Sequence, residues 1–179
     1  MFKTTNDSKI QMSQLMLPSN TNFGGKIHGG YILGLMDEIA FACASKHSRS
    51  YCVTASVDQV NFLKPIEVGE LVTMKASINY VGRSSMVVGI RVESENIRTG
   101  ETKHCNSSYF TMVAVTQEGK TVPVPGLIIT SKIEAKRFIR AVKSREDDEN
   151  KLKYLNEIYK NVDDYLELLE DFKVKVEIK

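Results

Sequence analysis

The sequence predicts an α+β domain: an antiparallel sheet curled round a single apolar helix, with a helical extension after it. Three observations predict this. Residues 31–45 (YILGLMDEIAFACAS) read as a helix that is apolar almost all round, with only Asp37 and Glu38 charged, so burial on most sides is expected. Four strand-like runs follow, and the turns between the later ones are too short for anything but antiparallel pairing. Residues 131–179 hold no Pro and no Gly, carry 12 basic and 12 acidic residues, and read as helix.

Each element has its own signal. IQMSQLML (10–17) is a first strand, and Gly29–Gly30 precede the apolar helix. CVTASVDQVNF (52–62) is a strand ending at the turn LKPIEVGE. LVTMKASINYV (71–81) places Val72, Met74, Ala76, Ile78 and Tyr80 on one face, and Gly82 breaks it. SMVVGIRVESENI (85–97) places Met86, Val88, Ile90 and Val92 on one face. RTGE (98–101) is a turn, TKHCNSSYFTMVAV (102–115) a strand, and QEGK (117–120) a further turn. VPVPGL (122–127) suits an extended exit from the last strand, so the chain divides into 1–130 and 131–179. In the second part, Ser131, Lys132, Ile133 and Glu134 form a capping-box pattern at a helix start. Leu152, Leu155, Tyr159, Val162, Leu166 and Leu169 then recur at spacings of three and four. That pattern fits an amphipathic helix packed on its own domain or a coiled coil between chains. Phe172, Val174, Val176 and Ile178 alternate as a short final strand would.

Composition excludes several classes. The chain has 179 residues, 42% hydrophobic and 26% charged, which is enough for one core and too apolar for disorder throughout. No uncharged stretch is long enough to span a membrane, and the start MFKTTNDSKI lacks the apolar core of a secretory signal. A net charge of +2 argues against nucleic acid or an anionic membrane as partner. Cys43, Cys52 and Cys105 are odd in number and far apart, so they fit buried reduced thiols in a cytoplasmic protein rather than a disulfide framework or a zinc site.

The chemistry concentrates in residues 22–37. Gly29 and Gly30 stand where the first N–H groups of the helix lack intrahelical acceptors, so a carbonyl or oxyanion can approach those donors. Asp37 lies about two turns further on, and a carboxylate buried on an apolar helix must be paired or functional. His28, His47 and His104 fall on different elements and suggest no metal site.

These residues resemble a known family. Asn22, His28-Gly29-Gly30, Met36-Asp37, VTASVD (53–58), NFLKPIEVGE (61–70), VGRSSM (81–86), TGE (99–101) and VPVPGL occur in the order found in hotdog-fold acyl-CoA thioesterases. The resemblance covers roughly residues 8–127 and is nearest to the YciA-like and cytosolic acyl-CoA hydrolase branch. It differs at His28, where many members of that branch have Phe, and in residues 131–179. It implies hydrolysis of acyl-CoA to the free acid and CoA, with no cofactor and no metal. By position it implies Asp37 as the catalytic carboxylate, Asn22 as its polar partner and Thr54 as a residue lining the site. The VGRSSM turn resembles the segment that holds the nucleotide part of CoA. Gly82, Arg83, Ser84, Ser85 and Met86 are therefore the candidate CoA-binding residues, with Arg91 and Lys64 as further phosphate candidates.

Thioester hydrolysis needs an activated water or a nucleophile, and stabilisation of an oxyanion. Asp37 suits either general-base or nucleophilic work, with Gly29 or Gly30 N–H as the oxyanion donor. Gly29 and Asp37 are eight residues apart, about 12 Å on one helix. Both cannot touch one carbonyl, so a homodimer with shared active sites is expected, and the resemblance extends this to a trimer of dimers. The competing readings are a hotdog dehydratase or hydratase, which needs a His paired with a carboxylate, and a non-enzymatic acyl-CoA-binding sensor.

Overall fold

The computed structural model describes residues 1–175 and 177, Glu170 by its backbone only. Two compact units divide it, Met1–Phe138 and Ile139–Lys179.

In the first unit, β2 (Ile10–Leu15), β4 (Glu70–Val81), β5 (Ser85–Asn96), β6 (Thr102–Val115) and β3 (Tyr51–Val57) form one sheet in that spatial order, with every pair antiparallel. The long helix α2 (Gly29–Ser48) packs against its concave face. This is the hotdog arrangement. Two elements carried no sequence signal: β1 (Phe2–Thr4) and β7 (Gly126–Ile128) pair in parallel as a separate two-stranded sheet, with the short helix α1 (Thr5–Ser8) between β1 and β2. Three residues per strand are too few for a readable alternation.

The core is rich in methionine. Met16, Met36, Met74, Met86 and Met112 are fully buried beside Phe110, Ile32, Ile39 and Ile78. Unbranched thioethers fill the irregular space between a curved sheet and a straight helix. The amide of Asn106, on the same inner face of β6, is wholly buried, and neither of its polar atoms has a partner among the described residues.

Three observations correct the sequence expectations. α2 is not buried on most sides. Ile32, Leu35, Met36, Ile39, Ala40, Cys43 and Ala44 face the sheet, whereas Gly34, Asp37, Glu38 and Phe41 are exposed in the single chain. The β3 run ends at Val57, and residues 58–69 cross as a loop pinned by Leu63 N–H donating to Cys105 O at 2.9 Å and Ile27 N–H to Ile66 O at 3.0 Å. A bulge between Ile78 and Tyr80 takes Tyr80 off the inner face, and its ring meets Phe138 at 5.1 Å between centroids.

The helix α3 (Lys132–Lys160) begins in the first unit. There, Glu134 accepts from Thr130 N–H at 2.7 Å and from the Thr5 hydroxyl. In the second unit the heptad pattern is interrupted at Asn161, after which Val162–Asp171 form a 3-10 helix. A 3-10 turn has about three residues, so Val162, Leu166 and Leu169 do not prolong the α-helical stripe. Tyr154 and Tyr165 meet edge to face at 6.4 Å. Phe172 and Val174 are not in a strand, and the remaining residues of that alternation, Val176 and Ile178, lie outside the described residues. Among the described residues no helix is long and apolar enough to cross a membrane.

Candidate active site

The start of α2 is built by a loop that closes on itself. Asn22 N–H donates to Lys26 O at 2.7 Å, and His28 N–H to Asn20 O at 2.8 Å. Asn22 Oδ1 accepts from Gly24 N–H at 2.9 Å and Lys26 N–H at 3.2 Å. Its oxygen is thus committed to the loop. Its Nδ2 finds no acceptor among the described residues, so Asn22 offers a ligand two donors and no acceptor.

His28 caps the helix, its Nδ1 accepting from Gly30 N–H at 2.9 Å. That bond alters the expectation for the two glycines. The Gly30 N–H is occupied by the cap, while the Gly29 N–H has no acceptor among the described residues. Only one of the pair remains as an anion donor. The Phe62 ring lies over Gly29, 3.2 Å from where a Cβ would stand, so a side chain here would need the ring to move. This is the close approach that requires glycine.

Two turns along, Asp37 projects from the exposed face of α2. Thr54 on β3 reaches it, its hydroxyl donating to Asp37 Oδ1 at 2.5 Å, which is a short charge-assisted bond. A bulge between Thr54 and Ser56 lies at this point, where β3 breaks step with β6. Thr54 Oγ1 also lies 3.5 Å from Met112 Sδ. The second carboxylate oxygen of Asp37 is left for a water or a substrate carbon. The expected burial of Asp37 is therefore not met within one chain.

The VGRSSM turn is exposed at Arg83. Its carbonyls are used, Arg83 O by Val124 N–H and Ser84 O by Ala114 N–H, each at 2.9 Å. The N–H groups of Arg83 and Ser84 find no acceptor among the described residues, and Gly82 N–H closes the turn onto Ser85 O at 2.8 Å. Met86 departs from the expected ligand set. Its side chain is 0% exposed and belongs to the core, because residue 86 is the first inward position of β5.

The other reactive side chains are engaged elsewhere. Burial pushes the Cys43 thiol up to about 12, which makes it a packing group. His47 is fully buried, within hydrogen-bonding distance of Ser8 Oγ and Pro125 O, and burial lowers its pKa. Among the described residues no three His, Cys, Asp or Glu side chains converge as a metal site would require.

A hotdog whose central helix starts at an N–H with no acceptor among the described residues, and carries a hydrogen-bonded carboxylate two turns later, offers an oxyanion donor and a base or nucleophile. The comparisons specify the family. Residues 24–101 match the family described as the thioesterase superfamily. The chain is 46% identical to Protein VdlD of Helicobacter pylori over 80% of this chain and 82% of that one. It is 34% identical to a Bacillus subtilis protein named uncharacterized acyl-CoA thioester hydrolase YkhA, over 83% of this chain and 86% of that one. Among solved structures, the acyl-CoA hydrolase of Staphylococcus aureus, in complex with butyryl coenzyme A and coenzyme A, superposes with a TM-score of 0.80 at 30% identity over 90% of this chain and 99% of that one. The chain belongs to the thioesterase superfamily, among its hotdog acyl-CoA thioesterases. Solved variants of the S. aureus enzyme replace an asparagine, an aspartate and a threonine by alanine, the three spaced by 15 and 17 residues.

Proposed function

We propose that this protein hydrolyses acyl-CoA thioesters, with Asp37 as general base or nucleophile. The observation that carries the reading is the Asp37–Thr54 bond on the open face of α2. Supporting it, Asn22, Asp37 and Thr54 are spaced by 15 and 17 residues, as are the three residues replaced in the S. aureus enzyme.

In the general-base route Thr54 fixes one oxygen of Asp37, and the other takes a proton from water as that water attacks the thioester carbon. In the nucleophilic route the free oxygen attacks directly, and water then hydrolyses the mixed anhydride. In both, the carbonyl oxygen becomes an oxyanion, the C–S bond breaks, and the CoA sulfur leaves and acquires a proton. The Gly29 N–H and Asn22 Nδ2 are the donors placed for the oxyanion or the water.

These groups meet across a dimer. Asp37 lies about 12 Å along the helix from Gly29, whereas groups acting on one carbonyl must each lie within about 3.5 Å of a reacting atom. An antiparallel second copy of α2 brings the Asp37 end of one chain to the Gly29 and Asn22 end of its partner. Two features support that assembly. Among the described residues β3 pairs with β6 alone, and its other edge is open. Phe23, Phe41, Val53, Val57, Phe62 and Leu63 are exposed around the same elements. A trimer of such dimers agrees with the hexameric state of a related acyl-CoA thioesterase, 36% identical with a TM-score of 0.82. In the CoA site Arg83 and the two free N–H groups of its turn hold phosphate, while Met86 contributes packing. The test is release of free thiol from acyl-CoAs of rising chain length. Release from at least one supports the reading, and release from none overturns it.

A further inference from the structure

The outer, convex face of the sheet carries a second polar concavity. Lys75 on β4 stands directly opposite Arg91 on β5, and Ser107 on β6 continues that row. In the adjacent row Gly89 separates Ser77 from Tyr109. A groove of about 290 Å³ lies over the two rows, and Lys9 and Arg137 also line it.

Its charge is unbalanced. Two cations directly opposite on a sheet repel. Here both turn to the same carboxylate, Lys75 Nζ at 2.6 Å and Arg91 Nε at 2.7 Å from the two oxygens of Glu93. The side chains of Lys9 and Arg137 find no acceptor among the described residues. Four cations therefore line the groove, and two of them share the one carboxylate.

The floor is built rather than incidental. Asn79 is the extra residue of the β4 bulge and is only 5% exposed. Its Oδ1 accepts from Ser77 Oγ at 3.3 Å, while its Nδ2 finds no acceptor among the described residues. That amide lies over Gly89, with Nδ2 2.1 Å from where a Cβ would stand, so only glycine lets it lie there. An amide donor with no acceptor among the described residues, at the floor of a groove lined by cations, fits an anion with several oxygens.

We propose that this groove binds a phosphate-bearing anion of the diphosphate class carried by CoA and by free nucleotides, at a site separate from the thioester centre. Asp37 and α2 occupy the opposite, concave face of the sheet. Arg91 lies six residues beyond Ser85, about 20 Å along the strand from the Arg83 turn, so one diphosphate cannot use both within a chain. At about 30 Å³ per water, the groove has room for roughly ten water-sized groups, enough for a diphosphate.

Calorimetric titration of the full chain with inorganic pyrophosphate at low salt tests this independently of thioester hydrolysis. Saturable binding is expected, weakening as salt rises. In Lys9→Ala/Arg137→Ala, whose two side chains make no hydrogen bond or ion pair among the described residues, affinity should fall at least about tenfold. In Arg98→Ala, which removes a cation of the exposed turn 98–101, it should be unchanged. No binding by the parent protein, parent affinity in the double variant, or loss in Arg98→Ala would overturn the proposal. ADP and CoA then separate the two sources. Displacement of pyrophosphate by CoA alone assigns the groove to the tail of the substrate, and displacement by ADP assigns it to a free nucleotide. Displacement by neither rejects the diphosphate class.

Discussion

Asn22→Ala and Asp37→Asn, each inactive alone, should restore activity when refolded together. The structure sets the terms. Asn22 is tied to the start of α2 through His28 N–H, which donates to Asn20 O, and Gly29 is the adjacent donor. Asp37 is about 12 Å further along the same helix, whereas two groups acting on one carbonyl should lie within about 7 Å of each other. On the proposed reading, the two ends of a site come from different chains. Random pairing of equal amounts gives about half mixed dimers. In each mixed dimer one site receives the intact Asn22 from one chain and the intact Asp37 from its partner, and the other site receives both lesions. With half the dimers carrying one good site of two, thiol release should return to about a quarter of the parent rate. The assay is acyl-CoA hydrolysis by the co-refolded mixture, against each variant refolded alone. If Asn22 and Asp37 of one chain made each site, every site in the mixture would carry one lesion. Activity would then stay at the single-variant level, and the shared-site argument would be refuted.

Other consequences concern the carboxylates and the tail. Asp37→Asn should lower turnover by at least about 10²-fold while CoA binding persists; near-parent turnover in the folded variant would make Asp37 a structural partner of Thr54. Burial works against the Glu70 carboxylate, but bonds from Lys103 Nζ (2.8 Å), Glu67 N–H (3.0 Å) and Ser94 Oγ (2.9 Å) outweigh it, so its pKa lies below the ordinary value of 4.5. A depressed folded-state pKa contributes stability that is present above the unfolded value and lost as pH falls through the folded one. Glu70→Gln should therefore cost about 1–3 kcal/mol at pH 7, and the gap in Tm to the parent should close as pH falls below about 4.5; a gap independent of pH would refute this. A chain ending at residue 138 should remain folded and active, whereas one ending at residue 130 should melt earlier, because it loses the Glu134 contacts with Thr5 and Thr130 and the Phe138 ring on Tyr80. Equal melting of the two truncations would show that these contacts contribute nothing.

Most of the first unit was legible because its signals are local. Period-two alternation over strands of twelve or more residues gives β4, β5 and β6 to within a residue or two. Short turns between them dictate antiparallel order. The separate β1–β7 pair was invisible, since it joins the two ends of the unit through strands of three residues. The break at Asn161 has no signal in the sequence, because spacings of three and four describe a continuous α-helix and nothing in the residue types there demands a change of helical form.

The sequence by itself picked out the candidates for the chemistry: a glycine pair before an apolar helix, a carboxylate on that helix, and a resemblance spread over several ordered motifs. Tertiary structure decided what each group has left to offer. The helix start binds one glycine N–H to His28 and leaves the other, and the loop consumes the Asn22 oxygen and leaves its amide nitrogen. Asp37 is left exposed on α2 within reach of the edge strand β3, whose Thr54 holds it. Only the cross-strand register brought Lys75, Arg91, Asn79 and Ser107 into one groove. Hydrogen bonds and register are satisfied between elements distant in the chain, so residue type and spacing name the participants, and the packing of those elements assigns which donors and acceptors remain unpaired.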